Sequence, residues 1–184
     1  MKNKQKIIIL LFTLMICITG CNTNLNNTPT KQAEIFLGKY QTLHNDVLSD
    51  LDKVVAEEVS FSGDQRDTYR SIMKKHYQEL EYEIKDERID ADKATVTVQI
   101  EVDDYSKIKE NANAKLLESP EEFNDENGNY NHTKFMDYQL KQMKNTKDRV
   151  KYTLELTFTK KDKKWVIDKL NNDDMDKING VYEY

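Results

Sequence analysis

The chain has 184 residues, 33% charged and 38% hydrophobic, with five Gly and two Pro. That composition excludes collagen-like, Pro-rich and Gly-rich low-complexity classes and suits one domain with a sizeable core. Two cysteines exclude a disulfide-dense scaffold and a Cys-based zinc cluster within one chain, and a net charge of −5 argues against a nucleic-acid partner.

Lys2, Lys4 and Lys6 precede an apolar run from Ile7 to Ile18. As a helix the run is about 18 Å long, short of the roughly 20 residues that a bilayer core requires, and it fits the apolar part of a secretory signal. It ends in Ile18-Thr19-Gly20-Cys21. That tetrapeptide resembles the lipobox of bacterial lipoproteins: an aliphatic residue, a hydroxylated one, a small one, then Cys. The resemblance implies a diacylglyceryl group on the Cys21 thiol and cleavage by a signal peptidase between Gly20 and Cys21. It also implies a protein held in membrane lipid on the extracytoplasmic face of the cell membrane. Residues 1–20 are then the signal peptide, 21–30 a flexible polar tether and 31–184 the extracytoplasmic domain. Removing residues 1–20 takes away three lysines and leaves 164 residues with a net charge of −8. Cys21 becomes the sole cysteine, so no intramolecular disulfide is expected.

From Lys31 to about Glu58, Phe36, Tyr40, Leu43, Val47, Leu51 and Val54 recur at gaps of three and four, which predicts one amphipathic helix capped by Thr30. A second helix, capped by Asp64, carries Tyr69, Ile72, Met73, His76, Tyr77 and Leu80 on one side. The period then falls to two. Leu80, Tyr82 and Ile84 alternate, Ile89 has the wrong parity, and a bulge or reversal is required near Asp86. After a turn at Asp90-Ala91-Asp92-Lys93, Ala94, Val96, Val98, Ile100 and Val102 form the apolar face of the clearest strand. Tyr105 to Ser119 predicts a helix, Glu121 to Asn131 a polar loop, and Phe135, Tyr138, Leu140 and Met143 another helix. Val150, Tyr152, Leu154, Leu156 and Phe158 then alternate. A lysine-rich tip at Lys160–Lys164 leads into a last strand, Trp165–Leu170. The acidic segment Asn171–Asp176 and the chain end read as surface.

This order predicts an α+β fold: a curved antiparallel sheet packed on N-terminal amphipathic helices, with a helical insertion between hairpins. It is similar to the nuclear transport factor 2-like (cystatin-like) domains. The likeness is carried by Tyr82-Glu83-Ile84, by Ile89 through Val98, and by Tyr152–Leu156 joined through a Lys/Asp turn to Lys164-Trp165-Val166-Ile167. The family implies a sheet wrapped over a helix, often around a cone-shaped pocket. Its enzymes, such as ketosteroid isomerase, place an Asp base on the pocket face.

Here the two readable inner faces are aliphatic, and only Tyr152 carries a polar tip. A general base needs a titratable group in the pocket. Asp86 and Asp168 are the sheet acids to inspect, and no catalytic residue is assigned. His44, His76 and His132 fall in separate elements without metal-ligand spacing. The loop around Gly128 has Phe123 where an EF-hand loop needs its first acid, so no metal and no cofactor are expected. Ten Tyr, six Phe and one Trp are the suggestive supply, and Tyr82, Tyr152 and Trp165 are the ligand-binding candidates. The expected function is non-catalytic: binding of a small apolar ligand or an envelope protein partner. The alternatives are a structural or accessory subunit of an envelope complex, and an isomerase- or hydrolase-like enzyme with an acid in the sheet pocket.

Overall fold

The computed structural model of the protein describes residues 27–183. The stretch read as a signal peptide, with the lipobox-like Ile18-Thr19-Gly20-Cys21, lies outside the described residues. The fold is α+β, with six α-helices and one open four-stranded antiparallel sheet of order β1-β2-β3-β4 among the described residues.

Two helices occupy the segment that periodicity read as one: α1, Pro29–Gln41, and α2, Asn45–Glu57. The chain stops being helical at Leu43, which adopts φ +52°. The His44 N–H bonds back to the Lys39 carbonyl at 2.8 Å and closes the end of α1. A non-glycine residue in the left-handed region is uncommon, and sequence pattern gives no warning of it. The break alters the buried faces. In α1, Pro29, Ala33, Leu37 and Tyr40 are buried; in α2, Val47, Leu51 and Val55 are, while Val54 points to solvent.

The first helix also starts earlier than expected. Thr28, not Thr30, caps it by accepting the Lys31 N–H. The Asn27 side chain brackets the Trp165 backbone, accepting its N–H at 2.6 Å and donating to its carbonyl at 3.3 Å. Residues 27–30, read from sequence as the end of a tether, are therefore part of the folded unit.

The third helix, α3, spans Gly63–Gln78. Its cap is Ser62 rather than Asp64: the Ser62 hydroxyl accepts from Gln65 N–H, and the Gln65 side chain accepts from Ser62 N–H. This capping box satisfies two otherwise unpaired donors. The Gln65 amide also donates to the Thr133 carbonyl and to Asp137, tying α3 to a later helix.

Strands β1, Glu81–Asp90, and β2, Lys93–Asp103, pair with a register shift between Ile84 and Asp86, where the parity change required a bulge. Strand β3, Arg149–Lys161, pairs with β2 in unbroken register from Lys93↔Thr159 to Asp103↔Arg149. The turn at Asp162 and Lys163 has positive φ at both residues, and β4 is short, Lys164–Ile167. Between the hairpins lie α4, Tyr105–Glu118, a 3₁₀ turn at Pro120–Phe123 and α5, His132–Asn145. Ala112, Phe123 and Phe135 form a small core of their own there.

The inner row of the sheet, from Ala94 to Val102 and from Tyr152 to Phe158, is buried. Helix α1 lies against β1, β2 and β4. The acidic stretch read as surface is helix α6, Asn172–Ile178, which packs on β3. Ile178 is fully buried, and the Asp174 carboxylate is buried against the Asn171 amide at 3.0 Å. Alternating acid and amide groups hid this helix, because its core contact rests on one aliphatic residue.

Candidate functional site

The three candidate ligand contacts do not converge on one pocket. Tyr82, half-buried on β1, stands in one cross-strand row with Ile100 and Tyr152. The Tyr152 hydroxyl donates to the Tyr182 carbonyl at 3.1 Å, and the two rings meet edge to face. Trp165 is buried against Lys160, whose ammonium lies 5.3 Å from the ring centre. Lys160 follows Tyr152 by eight residues on β3, which is about 27 Å along a strand. Tyr152 and Trp165 are both buried members of the main core.

A cleft of about 370 Å³ opens instead on the helical side, between α3, α5 and the start of α4. Buried Ile72, Tyr105 and Met143 supply its apolar lining, and Asp67, Lys75 and Lys144 line it with charge. The spacing of α3 produces this arrangement, since positions 68, 71, 72 and 75 fall on one flank at 3.6 residues per turn. Asp103, the last residue of β2, also lines the cleft.

Behind Asp103 is a buried polar cluster. His76 is fully buried, and its ring stacks on Tyr105 with centres 4.8 Å apart. A carbonyl only accepts, so the 2.8 Å contact with Ile178 O assigns a proton to Nε2. Among the described residues Nδ1 has no hydrogen-bond partner, and it lies 3.8 Å from the Asp103 carboxylate, beyond hydrogen-bond range. Arg149 approaches the other Asp103 oxygen at 3.5 Å, and the Tyr105 hydroxyl donates to Asp103 at 3.3 Å. Burial pushes the Asp103 carboxyl up. The combined pull of His76, Arg149 and Tyr105 outweighs it and holds the group below the usual carboxylate range. Burial, then the neighbouring carboxylate, pushes the Tyr105 phenol up.

A base held low accepts protons poorly near neutral pH. Asp103 is thus suited to anchoring Arg149 and Tyr105. The sheet acids inspected for catalysis sit elsewhere: Asp86 is exposed and pairs with Arg88, and half-buried Asp168 accepts from the Thr159 hydroxyl. His44 is an exposed cap of α2, and His132 is exposed at the start of α5. Among the described residues, no group of three or more His, Cys, Asp or Glu is placed to hold a metal ion. No described helix is long and apolar enough to cross a membrane.

Asp103 and Met143 carry no motif that marks them as cleft residues in the sequence. Asp103 has the parity of the outward Thr95, Thr97, Gln99 and Glu101, and only the close of the strand against α3 and α4 makes it a cleft residue. Its signal was faint: an acid ending an aliphatic alternation, immediately before a helix. Comparison with protein-family models, curated proteins and solved structures found no match.

Proposed function

We propose that this chain is a lipid-anchored, extracytoplasmic and non-catalytic binding protein with a curved-sheet domain of the nuclear transport factor 2-like kind. Its cleft between α3 and α5 takes a small ligand with a largely apolar body. The anchor rests on Lys2-to-Cys21: basic, apolar and lipobox parts in order. The domain reading rests on the two hairpins with helices between them and on helix α1 lying along the sheet.

One observation carries the choice of ligand binding. The aliphatic row of the sheet is buried beneath the protein's own helices, whereas the α3–α5 cleft is open and keeps Ile72, Tyr105 and Met143 along it. Its volume of about 370 Å³ lies within the range of small-molecule sites. Among the described residues, the exposed large hydrophobic ones, Ile35, Val54, Val59, Ile89, Leu117, Tyr130 and Val166, belong to several different elements and loops.

The test has two arms. Metabolic labelling with a palmitate analogue should mark the parent and not Cys21→Ala. Native mass spectrometry of protein drawn from membranes should show a small adduct that Ser71→Trp abolishes, since Ser71 is exposed on the cleft flank of α3. Equal labelling of both proteins would refute the anchor. An adduct that survives Ser71→Trp in a folded protein would refute the cleft.

A further inference from the structure

A second cavity, of about 160 Å³, lies among α1, α2, α3 and α6. We propose that it is a binding site for a quaternary ammonium group, recognised by an aromatic cage beside the Asp50 carboxylate. This cavity is separate from the α3–α5 cleft and binds its guest whether or not that cleft is occupied.

Four aromatic rings line it: Phe36 and Tyr40 from α1, Tyr69 and Tyr77 from α3. Tyr40 meets Tyr77 with centres 5.1 Å apart and planes at 78°, and Phe36 meets Tyr40 at 5.5 Å and 72°. Rings set perpendicular to their neighbours make the walls of a corner rather than a stacked slab. Tyr40 and Tyr77 are buried, while Phe36 and Tyr69 are half-exposed, so the lining runs from the interior to an accessible mouth. Cations are drawn to aromatic faces, most strongly when water is excluded.

The Tyr40 and Tyr77 hydroxyls are already committed inward. Tyr77 donates to the Asn179 side chain at 2.8 Å, and Tyr40 to the Met175 sulfur at 3.8 Å. What these side chains offer a guest is π-surface and a thioether. That suits a cation without N–H groups better than a primary ammonium, which has three protons to place. The size agrees, since a cavity of roughly 150 Å³ holds a benzene-sized guest.

Charge agrees as well. Asp46 and Asp50 line the cavity together with Lys39. Lys39 is held by Asp46 at 3.0 Å, so those two charges offset each other. Asp50 pairs with exposed Lys53 at 2.8 Å, and such surface pairs are weak. Its field reaches the cage: after burial, Asp50 is the further cause that pushes the Tyr40 phenol up to about 12, and it contributes to raising Tyr77.

The experiment is calorimetric titration of the full chain, purified in a maltoside detergent, with choline and with 3,3-dimethylbutan-1-ol, its uncharged isostere. Choline should bind about tenfold or more tightly than the alcohol, the factor expected of a largely desolvated cation–π contact. Tyr69→Leu should weaken choline severalfold, and Asp50→Asn should reduce the preference over the alcohol. Asp50 is exposed, so its variant is expected to fold even if Tyr69→Leu does not. Equal affinity for the two probes, or no choline binding at millimolar concentration, would overturn the proposal. A monomeric short-chain phosphatidylcholine distinguishes the source: displacement of choline by it supports a lipid headgroup as occupant, and binding of free choline alone supports a soluble cation.

Discussion

Gly180 is the residue whose substitution tests the packing behind the cleft. It follows α6 with φ +71°, and its carbonyl accepts the N–H groups of Tyr105 at 2.8 Å and Ser106 at 2.9 Å. A Cβ placed there would overlap the Asp103 carbonyl oxygen and come within 3.0 Å of His76 Cε1. Gly180→Ala therefore meets two costs. Left-handed backbone costs a non-glycine residue about 1–2 kcal/mol, and overpacking a tight site adds about 1–3 kcal/mol. The sum, about 2–5 kcal/mol, corresponds to a fall in melting temperature of roughly 4–20 °C for a chain of this size. Gly38 is the control. It lies within α1, and a methyl group added to it would meet no other atom within 4 Å, so Gly38→Ala should stabilise by about 0.5–1 kcal/mol. Thermal melts by circular dichroism, with urea titrations to compare m-values, provide the assay. If Gly180→Ala melts with the parent, α6 and the segment after it are not locked against Asp103 and His76.

Two further outcomes follow from other contacts. Ser62→Ala removes the capping box of α3 and should cost about 1 kcal/mol, read as a lower urea midpoint with unchanged slope. For Asp103, the folded-state pKa lies below the ordinary 3.8, so its ionised form stabilises the fold above that value. The contribution is lost as pH falls through the lower folded value. Urea midpoints of the parent should therefore drop more steeply below pH 4 than those of Asp103→Asn, and parallel acid profiles would contradict the linkage.

The strands were legible because their physics is local. Ala94 to Val102 alternate without interruption, and every apolar member is buried against the core. The parity fault at Ile89 likewise required the shift found between Ile84 and Asp86. The helical hairpin of α1 and α2 was not legible. The link from Tyr40 to Val47 keeps the 3.6-residue rhythm while Leu43 turns the chain through the left-handed region. A rhythm that survives a break cannot report it. The acidic helix α6 failed for a related reason: Asn171 and Asp174 satisfy each other as cap and first turn, so polar letters describe a docked element. Both candidate sites depend on residues brought together from separate elements, Asp103 beside His76 and Tyr40 beside Tyr77, which no short motif encodes.

Helix α3 carries both recesses, and its geometry makes them separable. At 3.6 residues per turn, Thr68, Ser71, Ile72 and Lys75 occupy one flank, and Tyr69 and Tyr77 lie on the other. Met73 and His76 are almost wholly buried, so the helix is fixed while its two flanks face different spaces. Ser71 and Tyr69 line different recesses, so substitutions at the two should act nearly additively. Ser71→Trp should block the cleft and leave the choline response intact, and Tyr69→Leu should weaken the choline response and leave the cleft adduct in place. Loss of both responses in either variant would mean that α3 itself had shifted, and neither recess could then be credited with the binding.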